Sequence, residues 1–344
     1  MRVLLIHPWI HDFAAFDLWN RPLAFLKLAS LLEQAGMEVE LLDLLDRFHP
    51  AVVDLPVHSH RLNKYGCGHY FKESLEKPPA LEDIPRRYSR FGMPQDKGRE
   101  LMAGMNPPDL VITGCTMTYW YPGLQETIRE VRRFWPDVPV WAAGIYAILC
   151  PDHARQTSGA DWVYTGNSYV ELTGRICSAV GVEPPPWSAD PWIKPAVHLQ
   201  NQASSLPLQS AAGCPFHCTY CASRLLCPSF ENYNWRHLLQ FMECCIEQYD
   251  TKDWAIYDDA LLAGAENHFL PWMEQVIRQQ WPVRFHTPNA LHCRFIDQRV
   301  AETLKKAGFE TIRLGLEFGS EEKQRDTGGK VRWEHFEKAM NHLL

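Results

Sequence analysis

LPLQSAAGCPFHCTYC, residues 206–221, leads a short apolar stretch directly into three cysteines at a C-x-x-x-C-x-x-C spacing. Residues 206–212 read as a β-strand, which puts Cys214, Cys218 and Cys221 in the loop beyond its carboxyl end, with Cys227 six residues further on. A helix near 235–249 follows, and the pattern then repeats. WAIYDDALL (254–262), VRFHTPN (283–289) and TIRLGLE (311–317) read as strands. Helices are predicted over about 266–279, over 297–307 closed by Gly308, and over 333–343. Alternating strands and helices predict a parallel sheet, here as four βα units, half of an eight-unit barrel.

Upstream, EPPPWSADPWIKP (183–195) is a proline-rich, stiff connector. It sets the expected organisation as residues 1–182, a linker over 183–205, and a partial barrel over 206–344. The first part again alternates. VLLI (3–6), EVELLDL (38–44), DLVITG (109–114), PVWAAG (139–144) and DWVYTG (161–166) read as strands. Helices are predicted over 21–36, 122–134 and after residue 166, giving a doubly wound, Rossmann-like (flavodoxin-like) α/β sheet. Three strands run into Gly114, Gly144 and Gly166. Any one of these reads as turn chemistry; three at equivalent strand ends point to a cofactor crevice. Residues 47–105 form an irregular insertion, read as a lid over that crevice. Its Cys67 and His69 are two residues and do not make a metal site.

The formal charge of −7 argues against a nucleic-acid surface. Apolar runs are too short and broken to cross a membrane, and MRVLLIHPW lacks the features of a signal peptide. A cytoplasmic protein is expected, in which eleven cysteines are reduced thiols or ligands. No G-x-G-x-x-G follows a strand, so a dinucleotide is not indicated.

Several readings of the cysteines stay open on spacing alone. Structural zinc would use Cys227 as a fourth ligand, without the usual second knuckle. A thioredoxin-like pair would use Cys218 and Cys221 and leave Cys214 unexplained. A fully ligated ferredoxin cluster needs four cysteines at other spacings. Coincidence in a cysteine-rich chain and a 4Fe–4S cluster held by three cysteines complete the set.

CPFHCTYC, following a strand, with Tyr220 just before the last cysteine, resembles the radical S-adenosylmethionine (SAM) superfamily. The resemblance implies that Cys214, Cys218 and Cys221 each hold one iron of a 4Fe–4S cluster, the fourth iron being open to SAM, and that Cys227 is a loop thiol. It implies SAM contacts from Tyr220, from Asp258 and Asp259, and from Glu317 through Ser320, because LGLEFGS is similar to the family's ribose-contacting segment. Ion pairing or helix capping is the competing role for these carboxylates, and His286 reads as a proton shuttle or a structural histidine.

RPLAFLKLASLLEQAGMEVELLDL, PDLVITGCTMTYWYPG, PVWAAGIYA and GADWVYTGN are similar in order to the cobalamin-binding domain that precedes the barrel in one subclass of that superfamily. The D-x-H-x-x-G loop is absent, implying cobalamin without a histidine lower ligand. The contacts implied are Thr116, Met117, Thr118 and Tyr119, then Gly144, Ile145 and Tyr146, then Gly166 and Asn167. Tyr119, Trp120, Tyr121 and Trp141 read as an aromatic cluster for packing or for a cobalamin face. The expected function is a cobalamin-dependent radical SAM enzyme transferring a methyl group to an unactivated carbon of a small-molecule substrate. A reductase, flavodoxin or ferredoxin would donate electrons. The alternatives are non-methylating radical chemistry (rearrangement, cyclisation or oxidation) and a non-catalytic cobalamin or iron–sulfur module. The short barrel raises that last reading: the chain is truncated, inactive, or completed by another chain.

Overall fold

Val3 and Leu5 of the first strand, β1 (Arg2–His7), face one hydrophobic cluster, and Leu4 and Ile6 face another. A strand buried on both faces needs a continuous apolar run, which is why VLLI does not alternate with polar residues. The computed structural model describes residues 1–53, 55, 63–188 and 190–344, in two compact units, Met1–Gln202 and Ala203–Leu344. In the first, β1 is flanked by β2 (Glu38–Asp43) and β3 (Leu110–Thr113), followed by β4 (Val140–Ala142) and β5 (Trp162–Val163). All pairs are parallel and the order is β5-β4-β3-β1-β2, the flavodoxin-like winding expected. Helices Leu23–Gln34 and Tyr169–Val180 cover one face through Phe25, Leu28, Leu172 and Ile176. Tyr121–Phe134 and Gln95–Gly104 cover the other through Leu124, Ile128 and Met102.

The strand order reverses between β1 and β3, where such sheets open a crevice at their carboxyl ends. Here the chain just past β1 is packed into the core of the unit. Trp9, just past β1, is fully buried and its indole donates to the Met93 carbonyl at 2.7 Å. Gly123, in the first turn of helix Tyr121–Phe134, lies so close that a Cβ there would meet the Trp9 carbonyl oxygen at 2.0 Å. The insertion is more regular than its composition suggests. Ile10–Asp12, Ser89–Phe91 and Lys72–Ser74 form an antiparallel sheet, and Phe16–Asp17 pairs with Gly68–His69. Residues 54 and 56–62 of the expected lid, and residue 189 of the expected linker, lie outside the described residues.

The second unit has four parallel strands, β6 (Ser205–Leu208), β7 (Asp253–Ile256), β8 (Arg284–His286) and β9 (Phe309–Thr311), in sequential order. Sequential order without reversal is barrel winding, so every strand delivers its following loop to one face. Aromatic packing builds the core: Phe285 stacks on Phe309 with centroids 5.0 Å apart, and Trp272 meets Phe285 edge-on. All four strands are shorter than the sequence suggests, the third ending at His286. The first ends at Leu208 because the Ser210 amide leaves the ladder for the Asp258 carboxylate; Ala211–Ala212 then pairs antiparallel with Glu231–Asn232. The second ends at Ile256, ahead of that same Asp258. The fourth begins at Phe309, directly after Gly308 closes helix Gln298–Ala307, and beyond Thr311 only an isolated bridge joins Leu314 to Leu291.

Gly123→Ala should destabilise the first unit by about 1–3 kcal/mol, the cost of overpacking against backbone. Gly174→Ala, in the middle of helix Tyr169–Val180 with open space around it, should stabilise by about 0.5–1 kcal/mol. Denaturant unfolding of the two variants checks both signs; equal effects would contradict the close approach at Trp9.

Candidate cluster and cofactor-binding site

Cys214, Cys218 and Cys221 are free thiols on the loop beyond β6, Cys221 exposed and the others half-buried. Two glycines brace this loop. Gly213 takes φ +71° with a Cβ position 2.2 Å from the Ser229 carbonyl oxygen, and Gly328 takes φ +109° beside the His217 carbonyl and the Cys218 Cα. Any side chain at either would displace the cysteines. The Thr219 amide also donates to the Thr327 carbonyl at 3.3 Å. Burial and Asp259 push the Cys214 thiol up, while the Phe216 amide and the Lys330 ammonium oppose that rise. Cys227 packs against Gly213, its Sγ donating to the Ser229 carbonyl at 3.2 Å. Among the described residues no three His, Cys, Asp or Glu side chains gather to hold a metal ion. Thiolates that each bind a separate iron of a cluster do not converge on one point.

The strand-end carboxylates differ from one another. Asp258 is buried, and both its oxygens accept from Ser210, one from the amide at 2.7 Å and one from the hydroxyl. His268 Nε2 lies 3.1 Å from that hydroxyl, and Asn289 Nδ2 donates to the Tyr257 carbonyl at 3.0 Å. Asp258 thus joins two strand ends. Asp259 faces the other way, toward Ser223, Lys330 and the cysteines; packing around it raises its carboxyl although the side chain reaches solvent. Glu317 pairs with Lys330 at 3.3 Å and faces the Tyr220 phenol, which burial, Cys218 and Glu317 push well above its usual range. Ser320 caps helix Glu321–Asp326, its hydroxyl accepting from the Lys323 amide. His286 is fully buried between Asp253 (2.7 Å) and Thr311 (3.1 Å), a structural arrangement that leaves no face for a proton shuttle. Lys330 was not foreseen. Its only sequence signal is the Gly328-Gly329 turn before it, which folds the chain back onto the cysteine loop.

In the first unit the implied cobalamin contacts share the carboxyl edge of three adjacent strands, β3, β4 and β5. Thr116, Met117, Tyr119, Gly144 and Asn167 are exposed there, with Thr118, Ile145 and Gly166 half-buried. Tyr146 is not exposed: it stacks on Tyr121 and its hydroxyl lies 2.6 Å from His153 Nδ1. The three glycines also separate. A Cβ at Gly114 would meet the Ala143 carbonyl oxygen at 2.2 Å, and one at Gly166 the Tyr164 hydroxyl at 2.5 Å. Internal packing requires both. Only Gly144, at φ +87° with nothing nearer than 3.6 Å, leaves an open face. The aromatic residues pair apart as Tyr119–Trp120, Tyr121–Tyr146 and Trp141–Trp162, and do not form one cluster. Asp12 holds the Trp120 indole at 2.8 Å, fixing the turn that presents Met117 and Tyr119.

Residues 208–344 match the profile of the radical SAM superfamily. The chain carries a radical SAM domain. Over its whole length the fold also matches two solved structures of the radical SAM methyltransferase TsrM from Kitasatospora setae. One, with tryptophan substrate and a SAM analog bound, has a TM-score of 0.66 at 16% identity, covering 99% of this chain and 65% of that one. The other, with cobalamin and a [4Fe–4S] cluster bound, has a TM-score of 0.67 at 15% identity, covering 99% and 64%. The likeness is one of fold: a doubly wound unit ahead of a radical SAM unit. This chain spans 65% and 64% of the lengths of those two chains. No curated protein matches the sequence significantly.

The two units carry different acid-sensitive groups. Burial lowers His268 beside the radical SAM strands from 6.5 to about 4, favouring the neutral ring; that stabilisation is complete above pH 6.5 and lost toward pH 4. Glu126 in the first unit is held at about 2 against an ordinary 4.5, burial being outweighed by hydrogen bonds from His11 and Arg90; its contribution is complete above pH 4.5 and lost toward pH 2. Hydrogen exchange should therefore show helix Phe269–Gln279 losing protection between pH 6.5 and 4, while Tyr121–Phe134 stays protected until below pH 4.5. The reverse order would contradict both assignments.

Proposed function

We propose that the protein is a cobalamin-dependent radical SAM methyltransferase acting on a small-molecule substrate. The observation that carries this reading is the C-x-x-x-C-x-x-C loop at the carboxyl end of β6, inside the segment matching the radical SAM profile. Residues 1–182 are assigned to cobalamin binding, 183–205 to a linker, and 206–344 to the radical SAM barrel. Cys214, Cys218 and Cys221 hold the cluster. The residues present fit it: three free thiols on one braced loop, with the Phe216 amide and Lys330 partly offsetting the burial and the Asp259 charge that raise the Cys214 thiol. When bound, the cluster supplies the electron that cleaves SAM to methionine and a 5′-deoxyadenosyl radical, and cobalamin supplies the methyl group.

The chain's own groups do the positioning. Glu317 and Asp259 remain at the face of the cysteine loop to receive the SAM amino group or ribose hydroxyls by hydrogen bonds, and Tyr220 orders that side through Cys218 and Glu317. Asp258 and Ser320 act indirectly, by bracing strand and helix ends. Thr116, Met117, Tyr119, Gly144 and Asn167 offer an exposed surface for cobalamin, and Thr118, Ile145 and Gly166 support it. None of these is histidine, so the lower face of cobalamin would lack a histidine ligand from them. The likeness to a fold solved with cobalamin, cluster and tryptophan supports the cofactor set and a small-molecule substrate. Among the described residues no helix is long and apolar enough to cross a membrane. A cytoplasmic location, with a flavodoxin, ferredoxin or reductase as electron donor, suits a site built of reduced thiols.

The test is anaerobic reconstitution with iron, sulfide, cobalamin and reductant, then SAM, with 5′-deoxyadenosine as the readout. Wild type and Cys227→Ala should give product, and Cys214→Ala none. A Cys227→Ala variant as inactive as Cys214→Ala would sink the three-thiol assignment. Failure to bind either a cluster or cobalamin would sink the whole reading.

A further inference from the structure

A second concave site lies in the radical SAM unit, apart from the cysteine thiols. Its volume of 430 Å³ is within the range of small-molecule pockets. Loops after β7 and β8 form two walls and the last helix, Trp333–Leu343, forms the third. Leu262, Cys293, Ile296 and Val300 make a buried apolar floor.

The charges around it do not balance. Arg294, Lys338, His335 and His342 line the cavity, and among the described residues none of them has a carboxylate partner. The two lining acids are already engaged. Glu266 is paired with Arg299 at 2.7 Å, and Asp297 caps its helix by accepting from the Val300 amide at 2.8 Å. That helix, Gln298–Ala307, starts at the same cavity, where the Asp297 carboxylate already answers the partial positive charge of its N-terminus. His335 Nδ1 is buried without a hydrogen-bond partner. Burial and the charges of Arg294, Arg332 and Lys338 lower the His335 ring, with Glu334 opposing them.

We infer that this cavity binds a small organic anion, a phosphate ester or carboxylate whose charged group meets Arg294 and Lys338 and whose apolar part lies on the Leu262–Ile296 floor. An ammonium or a neutral polar molecule would leave the cations unanswered, and a bare inorganic ion would leave the floor unfilled. Arg294 also lies over the rings of Phe216 and Phe295, at 5.7 and 5.9 Å, and Phe216 is two residues from Cys214. Occupancy is thereby linked to the cysteine loop through one side chain.

The site needs neither cluster nor cobalamin, so the full-length chain as purified suffices to test it. Calorimetry would compare phenyl phosphate, inorganic phosphate and benzyl alcohol at low salt. Phenyl phosphate should bind saturably and more tightly than either comparison, and added salt should weaken it. Arg294→Gln and Lys338→Gln should each weaken it about tenfold, one charge-assisted contact apiece. Lys338 is exposed on a helix, so its variant reports on binding even if Arg294→Gln disturbs the Phe216 loop. The histidine ring signal of His335 should move to a higher pKa on binding. Equal affinity for benzyl alcohol, equal affinity for inorganic phosphate, or unchanged binding in Lys338→Gln would overturn the proposal.

Discussion

Asp258 accepts two hydrogen bonds from Ser210, and the placement of the cysteine loop depends on them. Both groups are buried, so the pair is made in a low-dielectric setting where an unpaired carboxylate would be costly. The contact ends two neighbouring strands at once and turns the chain after Leu208 out of the sheet. His268 reaches the same serine hydroxyl, and Asn289 extends the arrangement to the third strand through the Tyr257 carbonyl. Four polar residues thus stitch three strand ends together under the loop that carries Cys214, Cys218 and Cys221.

Above that stitching the site is held from a distant part of the chain. The turn at Gly328 and Gly329 brings backbone against His217 and Cys218 and delivers Lys330 to Glu317. Lys330 also acts on Cys214, Asp259, His292 and Cys293, although burial is the larger influence on each. The first unit uses the same economy differently. A buried set of charges, Glu126 with Arg90 and His11, anchors the insertion sheet to helix Tyr121–Phe134. Asp12, on that sheet, then fixes Trp120 and the turn beside Met117 and Tyr119. The insertion is therefore a brace for the strand-end loops.

Legibility in the sequence varied with the range of the physics involved. Long elements with strong periodicity, such as helices Trp235–Tyr249 and Gln298–Ala307, were readable because burial of one face is a local pattern. The cysteine spacing was readable because ligands on one loop must be close in sequence. Strand ends were not: ALL after Asp259 has the composition of a strand, yet Asp258 turns inward to Ser210, forty-eight residues away. Nor could composition separate Gly144 from Gly114 and Gly166, since the difference lies in which neighbouring atoms occupy the space above each Cα.

By itself, the sequence determined the two α/β halves, the parallel sheets and the three thiols, all of which follow from short-range periodicity and spacing. Tertiary structure alone decided that Trp9, just past β1, is packed against Met93, Gly98 and Gly123. It also decided which polar side chains brace strands and which stay open to a ligand, separating Asp258 from Asp259 and Tyr146 from Tyr119. The reason is the same in each case. A residue's type sets what it can bond to, but only the packed fold sets which partner arrives first.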